Sequence, residues 1–144
     1  MKEMMEITFN AVLENEMFAR SVIGAFITRL DPTIDEMLEV KTIVSEAVSN
    51  AIIHGYDKNS DCKVVMNASI EKGLLTIVVM DYGKGIKNLE QAKVPFYSSL
   101  KDLEHAGMGL PIIESLADSL DIISEENIGT KLIIKKQLED RRFG

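Results

Sequence analysis

Residues 63–85 read KVVMNASIEKGLLTIVVMDYGKG. Two runs rich in β-branched residues, Lys63–Ile70 and Leu74–Met80, are separated only by Glu71-Lys72-Gly73, a link of hairpin length with a glycine in it. So short a link joins antiparallel neighbours, because a parallel pair needs a crossover of a dozen or more residues. The second run is apolar almost throughout, which places it centrally in its sheet with at least one face covered. It ends on Asp81, and Gly83 and Gly85 follow at alternate positions.

Upstream, Met5–Val12 alternates loosely and reads as a first strand. Glu14–Leu30 repeats apolar residues at helical spacing, with Phe18, Val22, Phe26 and Leu30 on one stripe and Ile23 and Ile27 beside it. Asp31-Pro32-Thr33 ends that helix, since proline disfavours helix in the residue before it. A second helix runs from about Asp35 to His54, with Thr33 and Glu36 spaced as a capping box and Gly55 as its stop.

Downstream, Asp81–Gly107 has weak periodicity and several glycines, as lids and binding loops do. A third helix is predicted over Met108–Leu120, then strands Asp121–Ser124 and Lys131–Lys136 around a turn at Asn127–Gly129. The charged end LEDRRFG is expected to fray. The order β, α, α, β, β, loop, α, β, β gives an α+β fold: a two-layer α/β sandwich, its sheet mixed but mostly antiparallel and covered on one face by helices. Residues 1–144 are read as one domain, a length that suffices for a single core.

Composition narrows the function. Sixteen basic against 23 acidic residues give a formal charge of −7. That balance argues against gripping nucleic acid or an anionic membrane surface, both of which select lysine and arginine clusters. One cysteine, Cys62, allows no internal disulfide. The start MKEMMEITFN carries acids where a signal peptide needs an apolar run, and no stretch approaches a membrane span. A soluble cytoplasmic protein is expected.

Three local features bear on chemistry. In the second helix, Glu39, Ile43, Glu46, Asn50 and His54 share one face, while Val40, Val44, Ala47, Val48 and Ala51 form an apolar face. A solvated polar stripe is the plain explanation. A carboxylate and an amide oxygen one turn apart also suit a hard cation and an activated hydroxyl. Next, Asp81-Tyr82-Gly83-Lys84-Gly85-Ile86 is either an ordinary Asp/Gly turn or a strand-end acceptor for an exocyclic amine, beside glycines that admit a flat ligand. The dinucleotide fingerprint fails, because Asn88 stands where its third glycine belongs. Finally, Gly107-Met108-Gly109-Leu110-Pro111 opens a helix, where free N–H groups suit phosphate, but the Lys and Ser/Thr of a P-loop are missing. Each motif alone is weak; their joint order is far more specific.

Taken together, Glu46–Gly55, Asp81–Ile86, Gly107–Leu110 and Gly129-Thr130-Lys131 resemble the nucleotide-site motifs of the Bergerat-fold ATPases, the superfamily of gyrase, heat-shock chaperones, histidine kinases and MutL. Within it the chain is most similar to the small anti-sigma serine kinases. LDPTIDEMLEVKTIVSEAV, SEAVSNAIIHGY and Leu13–Arg20 resemble the sporulation (sigma F) branch, with the stress-response (sigma B) branch as the near alternative.

The resemblance implies ATP and Mg²⁺ as cofactors, with Asn50 as a metal ligand and Glu46 as the base for a partner's serine. It implies that Asp81 accepts from the adenine amine with Thr130 in support through a water. Gly83, Gly85 and Ile86 would lie along the base; His105, Gly107, Met108, Gly109 and Leu110 would lie at the phosphates, beneath a lid at roughly residues 87–106. It also implies a homodimer that binds a sigma factor and phosphorylates an anti-anti-sigma protein, with Glu16 and Arg20 as partner contacts. A solvated i,i+4 pair is the plain alternative for those two. Where the family often carries arginine before the second glycine box, this chain has His105 and then Ala106. A neutral imidazole holds phosphate less well than guanidinium, so transfer is expected to fall above pH ~6.5.

Overall fold

The computed structural model describes residues 1–55, 61–85 and 109–142. Strand β1 covers Glu3–Asn10 and helix α1 covers Glu14–Ile27, followed by a 3-10 turn at Thr28–Leu30. Helix α2 covers Ile34–Asn50 and passes into a π-helical turn at Ala51–Gly55. Strands β2 (Lys63–Glu71) and β3 (Leu74–Asp81) form the hairpin, and helix α3 (Gly109–Leu116) precedes strands β4 (Ser119–Glu125) and β5 (Gly129–Gln137).

The strands form one sheet in the order β1-β2-β3-β5-β4. All four pairings are antiparallel, so the parallel pair that a mixed sheet would contain is not among the described strands. β3 lies at the centre, as its apolar run requires. Its alternate residues Leu75, Ile77 and Val79 are buried on one face with Val64, Met66, Ala68 and Ile70 of β2 and Leu132 and Ile134 of β5. α1, α2 and α3 cover that face and contribute to the same core.

In α1 the buried stripe is Ala19, Ile23, Phe26 and Ile27, continued by Leu30. Phe18, expected on the core stripe, is 51% exposed: it lies a step of about 100° round the helix from Ala19. In α2 the capping box forms in full, Glu36 N–H donating to Thr33 Oγ1 at 3.0 Å and Thr33 N–H to Glu36 Oε1 at 2.8 Å. Ile43 is buried, although it shares a helical face with Glu39 and Glu46.

α3 is shorter than its periodicity suggests, because the sheet takes the chain first. The Asp118 N–H donates to Lys135 O, and the Asp118 carboxylate accepts from the Gln137 N–H, so β4 starts at Ser119. The described part of the charged C-terminal stretch, Leu138–Arg142, is pinned rather than frayed, and its last two residues lie outside the described residues. Leu138 is buried, Arg141 pairs with Glu36 at 2.6 Å, and Arg142 pairs with Glu3 at 2.8 Å. Glu3 also meets Arg29, which holds β1 from its first residue and explains why the strand starts before Met5. Among the described residues no helix is long and apolar enough to cross a membrane.

Candidate functional site

Among the described residues two polar residues are buried, Asp81 and Thr130, each 5% exposed. They are register partners on β3 and β5, on the helix-covered face, one row beyond Val79 and Leu132. The apolar core therefore ends in a polar row. Asp81 Oδ1 accepts from the Gly83 N–H at 3.0 Å, and its carboxylate also accepts from the Thr130 N–H. Burial nevertheless dominates and raises Asp81 from 3.8 to about 6. Ionised, it is a fixed acceptor at the sheet end, suited to an amine on a flat ligand.

The glycines near this row serve the backbone around it. Gly129 has φ +149°, and a Cβ there would collide with the carbonyl of Asp81. Gly85 has φ +74°, and a Cβ there would collide with the carbonyl of Glu125. The Asn127 N–H donates to Lys84 O at 2.7 Å, so the loop after β3 is latched onto the β4–β5 turn. A side chain is excluded at Gly85 by this hairpin, a long-range contact that its local sequence could not reveal.

Glu46 and Asn50 lie one turn apart at the end of α2, both half-buried. α2 packs on α3, and Glu46 Oε2 lies 3.5 Å from where a Cβ on Gly109 would stand. The carboxylate thus faces the first residue of α3 across a gap kept open by glycine. Beyond Asn50 the helix widens into the π turn, which packs on β3 and β5. Such bulges are frequent at functional sites. Among the described residues no group of three or more His, Cys, Asp or Glu could hold a metal ion. A cation here would draw on one or two oxygens from α2 and complete its shell from phosphates and water, the habit of Mg²⁺.

The structure thus brings Glu46 against Gly109 and Asp81 against Thr130, and holds Gly83 on Asp81. Leu110 is buried in the core. Glu16 and Arg20 stand 4.0 Å apart on α1, Arg20 with 43% of its side chain exposed, next to the exposed Leu13, Met17 and Phe18. Ile86, the segment at residues 87–106 with His105, and Gly107 and Met108 lie outside the described residues. One residue of the polar row was missed from sequence: Ser124 of β4, whose Oγ is 2.9 Å from Thr130 Oγ1. Counting the register back from the Asn127–Gly129 turn would have placed it opposite Thr130.

This fold, with a polar row at the sheet end and a carboxylate–amide helix beside it, is the architecture of a histidine kinase-like ATPase domain, and the model of that family matches residues 9–136. An anti-sigma F factor of Halalkalibacterium halodurans is 47% identical over 138 residues, covering 96% of this chain and 94% of that protein. One from Clostridium beijerinckii is 50% identical over 133 residues, covering 92% and 93%. The chain belongs to the anti-sigma F factor family within the histidine kinase-like ATPase domains.

Solved structures agree on the fold. The RsbU and RsbW domains of a Mycobacterium tuberculosis protein match with TM-score 0.69 at 20% identity, over 94% of this chain and 32% of that one. The SiaB–SiaC complex of Pseudomonas aeruginosa matches with TM-score 0.61 at 12% identity, over 91% and 88%.

Proposed function

We propose that this protein is a cytoplasmic anti-sigma factor of the sigma F type, acting in sporulation as a homodimer, and that it uses ATP and Mg²⁺ to phosphorylate a serine of an anti-anti-sigma protein. The observation that carries the chemical part is the placement of the Glu46 carboxylate at the gap above Gly109, one turn from Asn50. Bound ATP supplies the phosphoryl group, and Mg²⁺ offsets charge on the phosphates.

The chain's own groups do the rest. Asp81 accepts from the adenine amine, with the neighbouring Thr130 hydroxyl in support. Asn50 gives its amide oxygen to the cation. Glu46 accepts the proton of the partner's serine as that hydroxyl attacks. Phosphoryl transfer asks mainly for positioning and charge neutralisation, so one base and one cation ligand held on a rigid helix are an adequate set. The half-buried Glu16–Arg20 pair, with the exposed Met17 and Phe18 around it, offers a charged and apolar surface to protein partners.

The test is to incubate the protein with Mg²⁺ and labelled ATP beside a candidate anti-anti-sigma protein, and to measure retention of a sigma F type factor with and without nucleotide. Label on a partner serine and nucleotide-dependent sigma retention are expected. Nucleotide binding and sigma retention with no label on any such partner would leave a sequestering module and refute the kinase.

A further inference from the structure

Strand β5 carries a lysine where its pattern calls for an apolar residue. Leu132, Ile134 and Leu138 are buried at alternate positions. Lys136 stands between them on the same side, opposite the buried Leu75, with 13% of its side chain exposed. Its Nζ donates to the carbonyl of Leu116, the last residue of α3, at 2.6 Å, and lies 2.9 Å from Glu39 Oε2 on α2. We infer that Lys136 is a positioning residue for phosphoryl transfer: by holding the far end of α3 on α2, it fixes where Gly109 stands against Glu46. The inference rests on the kinase reading proposed above.

The geometry is that of a rod held at its far end. Gly109 and Leu116 are seven residues apart on α3, and Glu39 and Glu46 are seven apart on α2. Both spans are ~10.5 Å of helix. Gly109 stands against Glu46, and Leu116 is joined through Lys136 to Glu39, so the two helices run antiparallel with matched ends. The buried side chains of α3 are Leu110 and Ile113. Apolar contacts are non-directional and resist sliding weakly. A charge-assisted hydrogen bond is directional and sets a position.

An apolar side chain would hold the sheet and helix together without withdrawing an ammonium from water, which costs free energy that its partners must offset. What the ammonium adds is a donor for a carbonyl that the helix end leaves unpaired, and charge matched to the negative end of the helix dipole. The next residues bind the same strand: the Asp118 N–H donates to Lys135 O, and the Asp118 carboxylate accepts from the Gln137 N–H. The C-terminal end of α3 is thus fixed to β5. Eight helical residues move as one body, so a displacement at Leu116 is carried to Gly109. Transfer geometry is sensitive on that scale, since a misplacement of ~1 Å can cost ~100-fold.

The test measures transfer from labelled ATP to an anti-anti-sigma protein at saturating ATP, with adenosine affinity and melting temperature beside it. Lys136→Met keeps the stem and removes the charge. It is expected to slow transfer by roughly 10–100-fold and to leave adenosine affinity, set at the Asp81 end, unchanged. Lys136→Arg restores most of the rate, because a guanidinium also donates to a carbonyl and a carboxylate. In the Glu46→Gln background Lys136→Met should add little, since both changes act through the same carboxylate. If Lys136→Met does not fold, Glu39→Gln, at the more exposed end of the contact, takes its place with the same direction of change. Transfer at the wild-type rate in the folded variant, or a loss that multiplies with that of Glu46→Gln, would overturn the positioning role and leave a staple that changes only the melting temperature. A wild-type chain that binds ATP and labels no such partner would instead overturn the kinase reading on which it rests.

Discussion

Glu46 Oε2 lies 3.5 Å from the point where a Cβ on Gly109 would stand, so the carboxylate of α2 and the first residue of α3 form one wall of the site. A distance of that size is ordinary van der Waals contact. Gly109→Ala therefore folds, with stability equal to wild type or raised by up to ~1 kcal/mol, since alanine is the better helix former. Its methyl fills the gap that the carboxylate faces, so phosphotransfer falls while the melting temperature does not. Thermal melts beside single-turnover transfer read both; equal transfer in the two proteins would show that the gap has no role.

Asp81 gives a pH dependence with a definite sign. Its carboxyl titrates at 3.8 in the unfolded chain and at about 6 in the folded one, because burial disfavours the charge. Between those values the native state holds the extra proton, so stability falls as pH rises through the window and stays low above it. Asp81→Asn removes this penalty and is expected to be more stable than wild type at neutral pH by up to ~3 kcal/mol, with the gain vanishing below about pH 4. Adenine binding runs the opposite way. It needs the ionised acceptor, so it weakens as pH drops through about 6 in wild type and is weak at every pH in the variant. Urea melts and nucleotide titrations across pH check both trends.

Gly129 sits at φ +149° with the Asp81 carbonyl where its side chain would be. Gly129→Ala is expected to cost roughly 1–3 kcal/mol through backbone strain and to displace Thr130 from Asp81. Denaturant midpoints and adenine-nucleotide affinity should fall together. Wild-type affinity in a destabilised variant would separate the polar row from binding.

The ion pairs that join Arg142 to Glu3 and Asp140 lie at the surface, and Arg29 meets Glu3 beside them. Arg142→Ala should lower the melting temperature at low ionic strength and expose β1 to limited proteolysis, with the difference shrinking at high salt. A salt-independent loss would point to packing of the arginine stem instead.

What the sequence showed and hid divides by range. The capping box at Thr33 and Glu36, the β2–β3 hairpin, and Asp81 at the end of an apolar strand depend on residues within a few positions of each other, and each stands as expected. Phe18 went astray because a single helix leaves its facing direction undecided until α2 packs against it. The pinned C-terminus needed Glu3, Arg29 and Glu36, all distant in the chain. Ser124 beside Thr130 and the hairpin against Gly85 are cross-strand contacts, visible only once register is known. Glu46 and Gly109 stand on two helices with the whole β2–β3 hairpin between them in the chain, so no spacing rule could have brought them together.

The most direct measurement compares wild type with Glu46→Gln in single-turnover transfer from labelled ATP to an anti-anti-sigma protein, with nucleotide affinity measured in both. Glutamine keeps the shape and removes the base. The account predicts unchanged ATP affinity and a loss of transfer of at least ~100-fold, the lower range for a general base. Transfer at the wild-type rate in Glu46→Gln, with ATP bound equally well, would contradict it.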